Sequence, residues 1–513
     1  MRKCIVLLLT LSLLIPLPVF AADQADLMQK IDALSKELDR LKQQMQDMQK
    51  KDQVQEQRIS TVEQKGESAP SRSAFQIGGD YRFRMDYLKG TTHDAFVSNG
   101  AGGAVASTAT TYKNSSLFTN RFGLNLKADA TEDITVKARL LMYKVWGMES
   151  ANTVTGTNGF FADKMSVFDA NIGHVPQDDT LRVDYAYATW TDIAGKPIWF
   201  SIGRRPSTGG VPSNLRMNTE KSGTAGVPAF LVDWAFDGAT IGYAPDIDAL
   251  PGAFAKLCFG KGFDSGFSGN NNGLKDVWMV GLNVVPYDTD KLHLEFQWNR
   301  AFDIFAQPES LNQTMNPGAG LFPNTNLGNV DQFGGLAMTK FANVGPGDLN
   351  LFLAGATSMT HPNNNAFANT YGLLWDTTTG RKSSTGYLVY LGGRYDIKST
   401  GTKLGLEFNH GSKNWLSFAP ASDDMWTTKV GTRGNVYEAY LIQELNKKPI
   451  AKRGKAFFRV GYQHYQFDYT GSQNWLGAPV KISDMTTAPT AAPQFFPVIK
   501  NANDAYLTFD VLF

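Results

Sequence analysis

The amino-acid sequence predicts an all-β transmembrane barrel of about sixteen antiparallel strands, preceded by an α-helical coiled coil. Three observations predict this fold. The chain ends on an alternating strand that terminates in Phe513, it begins with an export signal, and its predicted strands are joined by alternately short and long connections. Together they favour an exported protein that crosses a bilayer with strands.

The C-terminal segment, Asp504 to Phe513, alternates between two faces. An open apolar edge strand invites aggregation in water, whereas the closing strand of a barrel in lipid needs this pattern. The segment resembles the C-terminal signal that the outer-membrane assembly machinery of Gram-negative bacteria recognises. We therefore expect the barrel-assembly machinery to be a partner. The apolar positions assigned to this signal are Phe509, Val511 and Phe513.

Residues 1–21 form a predicted signal peptide. Arg2 and Lys3 precede a short apolar core that Pro16 and Pro18 interrupt, and small residues stand at the cleavage spacing. This arrangement is typical of a cleaved secretory signal rather than of a membrane helix. The rest of the sequence holds no apolar run long enough to span a bilayer as a helix. We therefore expect an exported protein, either free in the periplasm or inserted in the outer membrane as a barrel.

The composition fits a barrel and argues against several other classes. Aromatic residues make up 12% of the chain and charged residues 19%, as expected of a lipid-facing band with aromatic girdles around a wet interior. Removal of Arg2 and Lys3 with the signal leaves 47 basic and 48 acidic residues, so no nucleic-acid partner is indicated. The mature chain keeps one cysteine, Cys258, and no C-x-x-C-H sequence occurs, so we expect no internal disulfide and no cofactor.

Residues 22–65 are predicted to form a coiled coil in the periplasm. Apolar residues recur there at alternating steps of four and three, the period of a left-handed coiled coil. A lone helix with this stripe would expose its leucines, so we expect self-association, with two and three strands both open. Residues 66–74 follow as a flexible linker. The seam positions are Leu27, Ile31, Leu34, Leu38, Leu41, Met45, Met48, Ile59 and Val62.

The barrel itself is predicted to occupy residues 75–513. In its first strand, Phe75 to Tyr87, apolar residues at odd positions oppose mostly polar ones at even positions. Runs of about ten residues are what a tilted strand needs to cross a bilayer. Further alternating segments lie near 118–127, 292–299, 387–397 and 404–409.

The lengths of the connections indicate the number of strands. Short connections are predicted near 129–133, 191–197, 245–251, 286–290, 343–347, 398–401 and 446–454. Long connections are predicted near 88–115, 147–179, 205–232, 261–274, 302–331, 360–384, 412–433 and 469–502. This alternation implies about sixteen strands, with about eighteen as an open alternative, and it places short turns and both chain ends in the periplasm.

The layout resembles that of the trimeric sixteen-stranded general porins. The coiled coil together with GGDYRFR (Gly78 to Arg84), FSIGRRPSTGGVP (Phe200 to Pro212) and VDWAFDGATIGY (Val232 to Tyr243) resembles more closely a family of outer-membrane channel proteins of anaerobic bacteria. The resemblance covers essentially the whole mature chain but consists of strand and loop patterns without catalytic signatures. It implies an outer-membrane channel and, from the porins, a homo-oligomer with a trimer favoured.

Charged residues on the polar faces of the strands are the candidate functional residues. One interpretation is that they only solvate a wide lumen and pair with one another. The other is that basic and acidic rows create a transverse field that sets ion selectivity, with Arg82, Arg84 and Arg121 as the densest basic cluster. The predicted pore-lining residues are Asp80, Arg82, Arg84, Asp86, Arg121, Lys127, Lys137, Arg139, Arg182, Asp184, Glu295, Arg394, Asp396, Glu407 and Arg459.

The third long connection, Arg205 to Val232, is a candidate constriction. In sixteen-stranded porins the third external loop folds into the lumen, and this loop is the third by count. The alternative is an exposed surface loop. If it folds inward, its net positive charge favours mild anion selectivity. The predicted constriction residues are Arg205, Arg216, Glu220 and Lys221.

The sequence predicts a passive diffusion channel rather than an enzyme. Its six histidines lack metal-ligand spacing, and neither a G-x-S-x-G nor an H-E-x-x-H motif occurs. We expect an outer-membrane porin for small hydrophilic solutes or ions. Two alternatives remain open: a barrel that sheathes an electron-transfer cytochrome partner, and a structural tether whose coiled coil reaches a cell-wall partner.

Overall fold

A computed structural model of the chain describes residues 75–98, 103–147, 176, 178–267, 274–306, 325–367, 369–419, 423–445, 454–488, 493–494 and 497–513. The predicted signal peptide, coiled coil and linker lie outside the described residues, and the heptad seam with them. No helix among the described ranges is long and apolar enough to cross a membrane.

The described residues form twenty strands and little helix. The strands are β1 (Phe75–Thr92), β2 (Ala95–Ser98), β3 (Ala104–Ser107), β4 (Thr111–Asp129), β5 (Ile134–Val145), β6 (Arg182–Trp190), β7 (Ile198–Ser207), β8 (Trp234–Tyr243), β9 (Phe254–Phe263), β10 (Val277–Asp288), β11 (Leu292–Phe305), β12 (Asn326–Val344), β13 (Gly347–Pro362), β14 (Tyr371–Gly372), β15 (Trp375–Asp376), β16 (Thr385–Ile397), β17 (Thr402–Gly411), β18 (Gly434–Glu444), β19 (Lys455–Phe467) and β20 (Ile499–Leu512). One short helix, α1 (Ser213–Met217), and single 3₁₀ turns at Ile193–Gly195, Gly223–Ala225, Lys429–Gly431 and Ile482–Asp484 lie in the connections.

Sixteen of these strands close into one antiparallel barrel. Each barrel strand pairs with its barrel neighbours in chain order, and β1 pairs with β20 to complete the ring. The four remaining strands form two small hairpins, β2–β3 and β14–β15, within long connections. The predicted number of sixteen is therefore confirmed, and eighteen is wrong. Closure leaves the barrel sheet without a free edge, which a spanning sheet in lipid requires.

Short and long connections alternate around the ring. We call the ends joined by short turns the turn side and the opposite ends the loop side. The eight long connections, named loops 1 to 8 in chain order, are residues 93–110, 146–181, 208–233, 264–276, 306–325, 363–384, 412–433 and 468–498. The first strand continues to Thr92, beyond the predicted boundary, because its pairing with β20 extends to the loop side. Loop 1 is correspondingly shorter than predicted.

The two faces of the barrel wall differ in chemistry. Large apolar side chains such as Ile77, Leu353 and Leu406 are exposed on the outside, at 65%, 58% and 68% of their full surface. Alternate residues on the same strands face inward and are buried, for example Arg82 and Glu407. A period of two residues is the pattern by which a membrane barrel keeps an apolar outer face around a polar interior.

The C-terminal residue completes the closure. The amide of Gly79 donates to the carbonyl of Phe513 at 2.8 Å, and the amide of Phe513 donates back to Gly79 at 3.0 Å. A Cβ atom at Gly79 would lie 2.4 Å from the carbonyl oxygen of Gly123 and 2.8 Å from the Phe513 ring. Glycine is required here because the two neighbouring strands leave no room for a side chain.

Candidate functional site: a lumen filled by loops 3 and 7

Loop 3 crosses the lumen from one wall to the other. It leaves the ring between β7 and β8, and its helix α1 reaches strands β16 to β19 on the opposite side. Arg394 Nη1 donates to the carbonyl of Leu215 at 2.5 Å, and Arg459 Nη1 donates to that of Arg216 at 3.0 Å. Lys455 Nζ donates to the carbonyl of Asn218 at 3.0 Å. Wall cations thus bind the carbonyl groups of this short helix.

The Arg216 side chain adds an ionic anchor on the far wall. Its guanidinium is buried and lies 2.6 Å from the carboxylate of Asp424 and 3.4 Å from that of Glu438. The returning half of the loop is attached to the near wall, where Lys221 pairs with Asp288 and Lys256 Nζ donates to the carbonyl of Thr224 at 2.7 Å. Loop 3 is therefore fixed at both ends of its path across the lumen.

Loop 7 enters the lumen from the opposite side of the ring and meets loop 3. The amide of Phe418 donates to the carbonyl of Leu231 at 2.8 Å, and the amide of Asp233 donates to the carbonyl of Phe418 at 3.1 Å. Ser417 Oγ donates to the carbonyl of Phe230 at 3.0 Å. These backbone contacts join the two loops as neighbouring strands are joined, so they form one unit inside the barrel.

An apolar core lies beneath this unit. It combines Leu231 of loop 3, Trp415 of loop 7 and Trp475 of loop 8 with inward wall residues such as Phe352. Trp415 and Leu231 are fully buried. Burial of a side chain of this size contributes about 1.5–3 kcal/mol, so the loops pack as a small hydrophobic domain would. The loop-side half of the lumen is filled rather than lined by solvated loops.

Loop 7 also packs against the wall around β1. The Trp426 ring lies over Gly90, where a Cβ atom would meet it at 2.7 Å, and Trp426 Nε1 donates to the carbonyl of Asn503 at 2.8 Å. Met425 packs in the same buried group as Leu117 of β4 and lies within reach of the Tyr143 hydroxyl. Loop 7 therefore covers the inner face of β1, β4 and β5 at the loop side.

Three wall arginines surround one loop 7 carboxylate. Asp423 forms ion pairs with Arg82, with Arg84 at 3.4 Å and with Arg459 at 2.9 Å. Burial raises the pKa of Asp423, but the surrounding guanidinium groups outweigh this effect and hold it well below its usual value. Asp423 is therefore ionised, and its charge is matched by the wall.

A second ionic group lies on β17 and β18. Lys429 of loop 7 pairs with both Glu407 and Glu438. The hydroxyl of Tyr390 donates to Glu407 at 2.5 Å, and that of Tyr506 donates to Glu438 at 2.7 Å. All of these groups are buried, so their charges are neutralised within the filled lumen rather than by water.

The inward charges of β1 and β4 to β6 toward the turn side are more accessible to solvent. Arg139 lies 2.6 Å from Asp80 and 3.3 Å from Asp184, and its side chain is 13% exposed. Arg121 is 18% exposed and lies 3.7 Å from Asp80. Lys127 is 36% exposed. The partly hydrated ionic surface of the lumen is therefore concentrated on this quarter of the wall.

The structure places the other predicted residues as follows. Glu295 is buried and accepts a hydrogen bond from Asn283. Arg394 forms a bidentate ion pair with Asp396, with distances of 2.6 and 2.8 Å. Arg182 forms a bidentate ion pair with Asp178, also with distances of 2.6 and 2.8 Å. Lys137 and Glu220 are exposed. Arg84 also pairs with Asp86 at 2.6 Å. Phe509 and Val511 are half-buried, and Phe513 is exposed.

Two expectations differ from the structure. Arg205 is not part of loop 3, because β7 continues through Ser207 and the Arg205 guanidinium packs over Tyr187 and Trp199 of the wall. Arg82 and Arg84 do not face an open channel, since loop 7 covers them and each is only 1% exposed. Of the predicted basic cluster, Arg121 alone keeps substantial exposure.

Sequence reasoning missed the charges of loop 7. Asp423, Asp424, Lys429 and Arg433 are buried, and the sequence predicts only a long connection at 412–433. A signal was available, because residues 412–433 carry two tryptophans, Trp415 and Trp426, beside the paired aspartates, a composition unusual for a solvated loop. Among the residues that the structure describes, no group of three or more His, Cys, Asp or Glu side chains could hold a metal ion.

Comparison with known proteins gives a family and several similar folds. A family model described as "Protein of unknown function (DUF3373)" matches residues 111–513. No curated protein sequence matches the chain.

Solved structures similar to this chain are outer-membrane proteins. OmpT of Vibrio cholerae in its trimer form has 11% identity, covers 86% of this chain and 99% of its own, and has a TM-score of 0.39. Salmonella typhi OmpF in complex with daunomycin has 9% identity, coverages of 85% and 97% and a TM-score of 0.41. Pseudomonas putida OprB at high pH has 12% identity, coverages of 86% and 94% and a TM-score of 0.42.

Proposed function

Because the chain belongs to the family described as protein of unknown function (DUF3373), whose description names no activity, we propose a function from the structure itself: an outer-membrane channel for passive diffusion of small hydrophilic solutes or ions. The observation that carries this proposal is the closed sixteen-stranded ring with an apolar outer face and a charged inner face. A ring of about sixteen strands is wide enough for an aqueous path, whereas about eight strands are filled by wall side chains alone.

The route that best fits a hydrated path runs along β1 and β4 to β6. Loops 3 and 7 fill the loop-side half of the lumen, where loop 7 also covers β1, β4 and β5. Toward the turn side of the same strands, Asp80, Arg121, Lys127 and Arg139 keep contact with solvent. Lys137 on β5 is exposed as well. Asp129 and Asp184 also lie on this surface, paired with Lys127 and Arg139. The four basic groups named here therefore exceed the three acidic ones by one, which favours mild anion selectivity. This assignment replaces Arg82 and Arg84 as the expected selectivity element.

The orientation and assembly follow from the same proposal. In this proposal the short turns and the predicted coiled coil are periplasmic and the long loops are external, because outer-membrane barrels carry short periplasmic turns and longer external loops. The heptad seam supports a homo-oligomer, and a trimer is favoured by resemblance to porins. The apolar side chains exposed on the outer wall are the surface that we propose for contact with lipid.

The packing of loops inside the lumen affects the two alternative functions, a sheath for a cytochrome partner and a structural tether, in different ways. A sheath for a cytochrome partner needs an interior free to accept that partner, and loops 3 and 7 occupy its loop-side half. A structural tether needs no aqueous path, and the dense packing of the two loops is the observation that favours it. Electrical conductance separates a narrow channel from a tether.

The test uses the purified full-length protein in planar bilayers under a potassium chloride gradient. We expect step-like currents whose reversal potential lies on the chloride side of zero, that is, toward the equilibrium potential of chloride. The Lys137→Glu substitution should shift the reversal potential toward the equilibrium potential of potassium, because the substitution reverses a charge on the proposed route. Lys196→Glu, in the exposed 191–197 turn, is the matched control and should leave it unchanged. Absence of current in all three proteins would favour the tether.

A further inference from the structure

The carboxylate of Asp423 lies in a pocket made by the wall. We call Arg82, Arg84 and Arg459 the arginine triad. They come from β1 and β19 and converge on this one loop 7 side chain. Their cationic carbons also lie against aromatic rings, with Arg84 4.7 Å and Arg459 5.4 Å from the centre of the Tyr506 ring. The wall thus contributes to holding these guanidinium groups, while Arg84 also donates to the backbone carbonyl of Asp423 at 2.7 Å and Arg459 to that of Arg216 at 3.0 Å.

The arginine triad carries more donors than its occupant uses. Nη1 of Arg82 is in ion-pair contact with Asp423, but Nε and Nη2 of Arg82 have no hydrogen-bond partner among the described residues, and neither does Nε of Arg459. Both side chains are 1% exposed. Buried charged donors without hydrogen bonds are costly, and a bound ion that accepts from them is one explanation for their presence in a native structure. Among the described acids, Asp423 is the single carboxylate within ion-pair distance of both Arg82 and Arg459.

The neighbouring carboxylate of loop 7, Asp424, has hydrogen-bond partners for both of its oxygens, as expected of a carboxylate with a structural role. Asp424 Oδ1 accepts hydrogen bonds from Arg216 at 2.6 Å and Gln463 at 2.7 Å, and its Oδ2 accepts one from the amide of Lys429 at 2.8 Å. Its oxygens are thus fully used. Asp423 instead contacts Arg82 through Oδ1 and contacts Arg84 and Arg459 through Oδ2, and it leaves the remaining donors of Arg82 and Arg459 without a hydrogen bond. A carboxylate that is not attached to loop 7 can turn to meet these donors.

We propose that the arginine triad is a binding site for the carboxylate of a small organic anion, and that Asp423 occupies this site in the present structure in place of the solute. The inference rests on the proposed channel function, since the solute must enter the lumen. Exchange of one carboxylate for another keeps the charge of the site balanced, and a free carboxylate can align both oxygens with the forked guanidinium donors. Binding of the solute then releases the Asp423 segment of loop 7 from the wall.

The test is equilibrium binding of succinate to the full-length protein in detergent, measured by titration calorimetry. Asp423→Ala vacates the site and should bind succinate at least tenfold more tightly than the native protein. Asp376→Ala is the matched control, because Asp376 is a buried loop carboxylate that accepts hydrogen bonds from its own turn at Thr378 and Thr379. It should bind like the native protein. Succinamide, of similar size but uncharged, should bind to none.

A second variant keeps the result interpretable. Adding Arg459→Gln to Asp423→Ala should abolish the gained affinity, and an unchanged shift between heated and unheated samples on gels shows that each barrel is folded. Equal succinate affinity in the native and Asp423→Ala proteins, both folded, overturns the proposal, as does gained affinity that survives Arg459→Gln. Neither result affects the channel proposal, which fails instead if the native protein carries no current.

Discussion

At the scale of single residues, the interior depends on buried groups that bind loop carbonyls. Arg433 is 1% exposed and donates to the carbonyls of Trp415 at 3.1 Å, Thr470 at 3.0 Å and Asn474 at 2.7 Å. One guanidinium thus joins loop 7 to loop 8. Its planar set of donors matches several carbonyls at once, which the point charge of a lysine does not.

Replacement of this arginine should loosen the loop side. Arg433→Met leaves three buried carbonyl groups without their donor, and we expect a loss of about 2–4 kcal/mol in stability. Limited proteolysis should then cut loops 7 and 8 faster. Lys413→Met changes an exposed basic residue of the same loop and should have no effect. Equal cleavage rates in both variants would show that Arg433 does not hold these loops.

The ionisation of Asp423 gives a pH prediction. Its pKa in the folded protein lies well below the usual value, so its contribution is present at neutral pH and is lost only as the pH falls through that lowered pKa. We expect hydrogen exchange in residues 423–433, corrected for the intrinsic rate, to show the same protection at pH 7 and pH 4. Loss of protection in that segment by pH 4 would mean that the arginines do not stabilise the carboxylate.

At the scale of elements, the final strand joins the two ends of the barrel. Phe513 exchanges two backbone hydrogen bonds with Gly79, and the Phe509 ring packs 4.8 Å from that of Phe458 on the outer face. Both the assembly signal expected from the sequence and the closure of the ring therefore depend on these last residues.

Polar substitution in this strand should impair insertion. Phe513→Ser removes an apolar side chain at the closing position, and we expect a several-fold lower level of folded protein in the outer membrane. Phe267→Ser is the matched control, since Phe267 is 92% exposed in loop 4. The outer-membrane fraction is measured by heat-modifiable mobility on gels. Equal levels of the two variants would count against the assembly role of the C terminus.

The predicted coiled coil leads to a separate prediction about the oligomer. Its seam should supply the association energy of the oligomer, so removal of residues 23–68 should weaken or abolish the oligomer while the barrel stays heat-modifiable. Native gels and light scattering measure this. An oligomer of unchanged size after the deletion would show that barrel walls hold the subunits together.

At the scale of the whole molecule, the barrel could be predicted from the sequence because its signals are local. Strand alternation has a period of two residues, and turn and loop lengths are read directly along the chain, as at 398–401 and 412–433. The filling of the lumen could not be predicted in this way. Asp423 meets Arg84 across 339 positions of sequence, and no local pattern specifies such a pairing.

The same difference between local and long-range signals explains which features of the predicted site agree with the structure and which do not. The inward direction of Arg82 and Arg84 follows from strand alternation, but their burial depends on where loop 7 packs. The predicted third long connection begins at Arg205, whereas in the structure β7 continues through Pro206 to Ser207 in pairing with β8. Local sequence thus indicates whether a strand residue faces the lumen or the outside of the barrel. It does not indicate which loop packs over that residue.

The central claim is that the barrel is a channel narrowed by loops packed inside it, and single-channel conductance tests it most directly. Replacement of residues 213–226 of loop 3 by a short Gly-Ser linker should raise conductance several-fold over the native protein. Deletion of residues 378–382, in the exposed part of loop 6, should leave it unchanged. Equal conductance in the native and loop 3 variants, or absence of current in both, would contradict the claim.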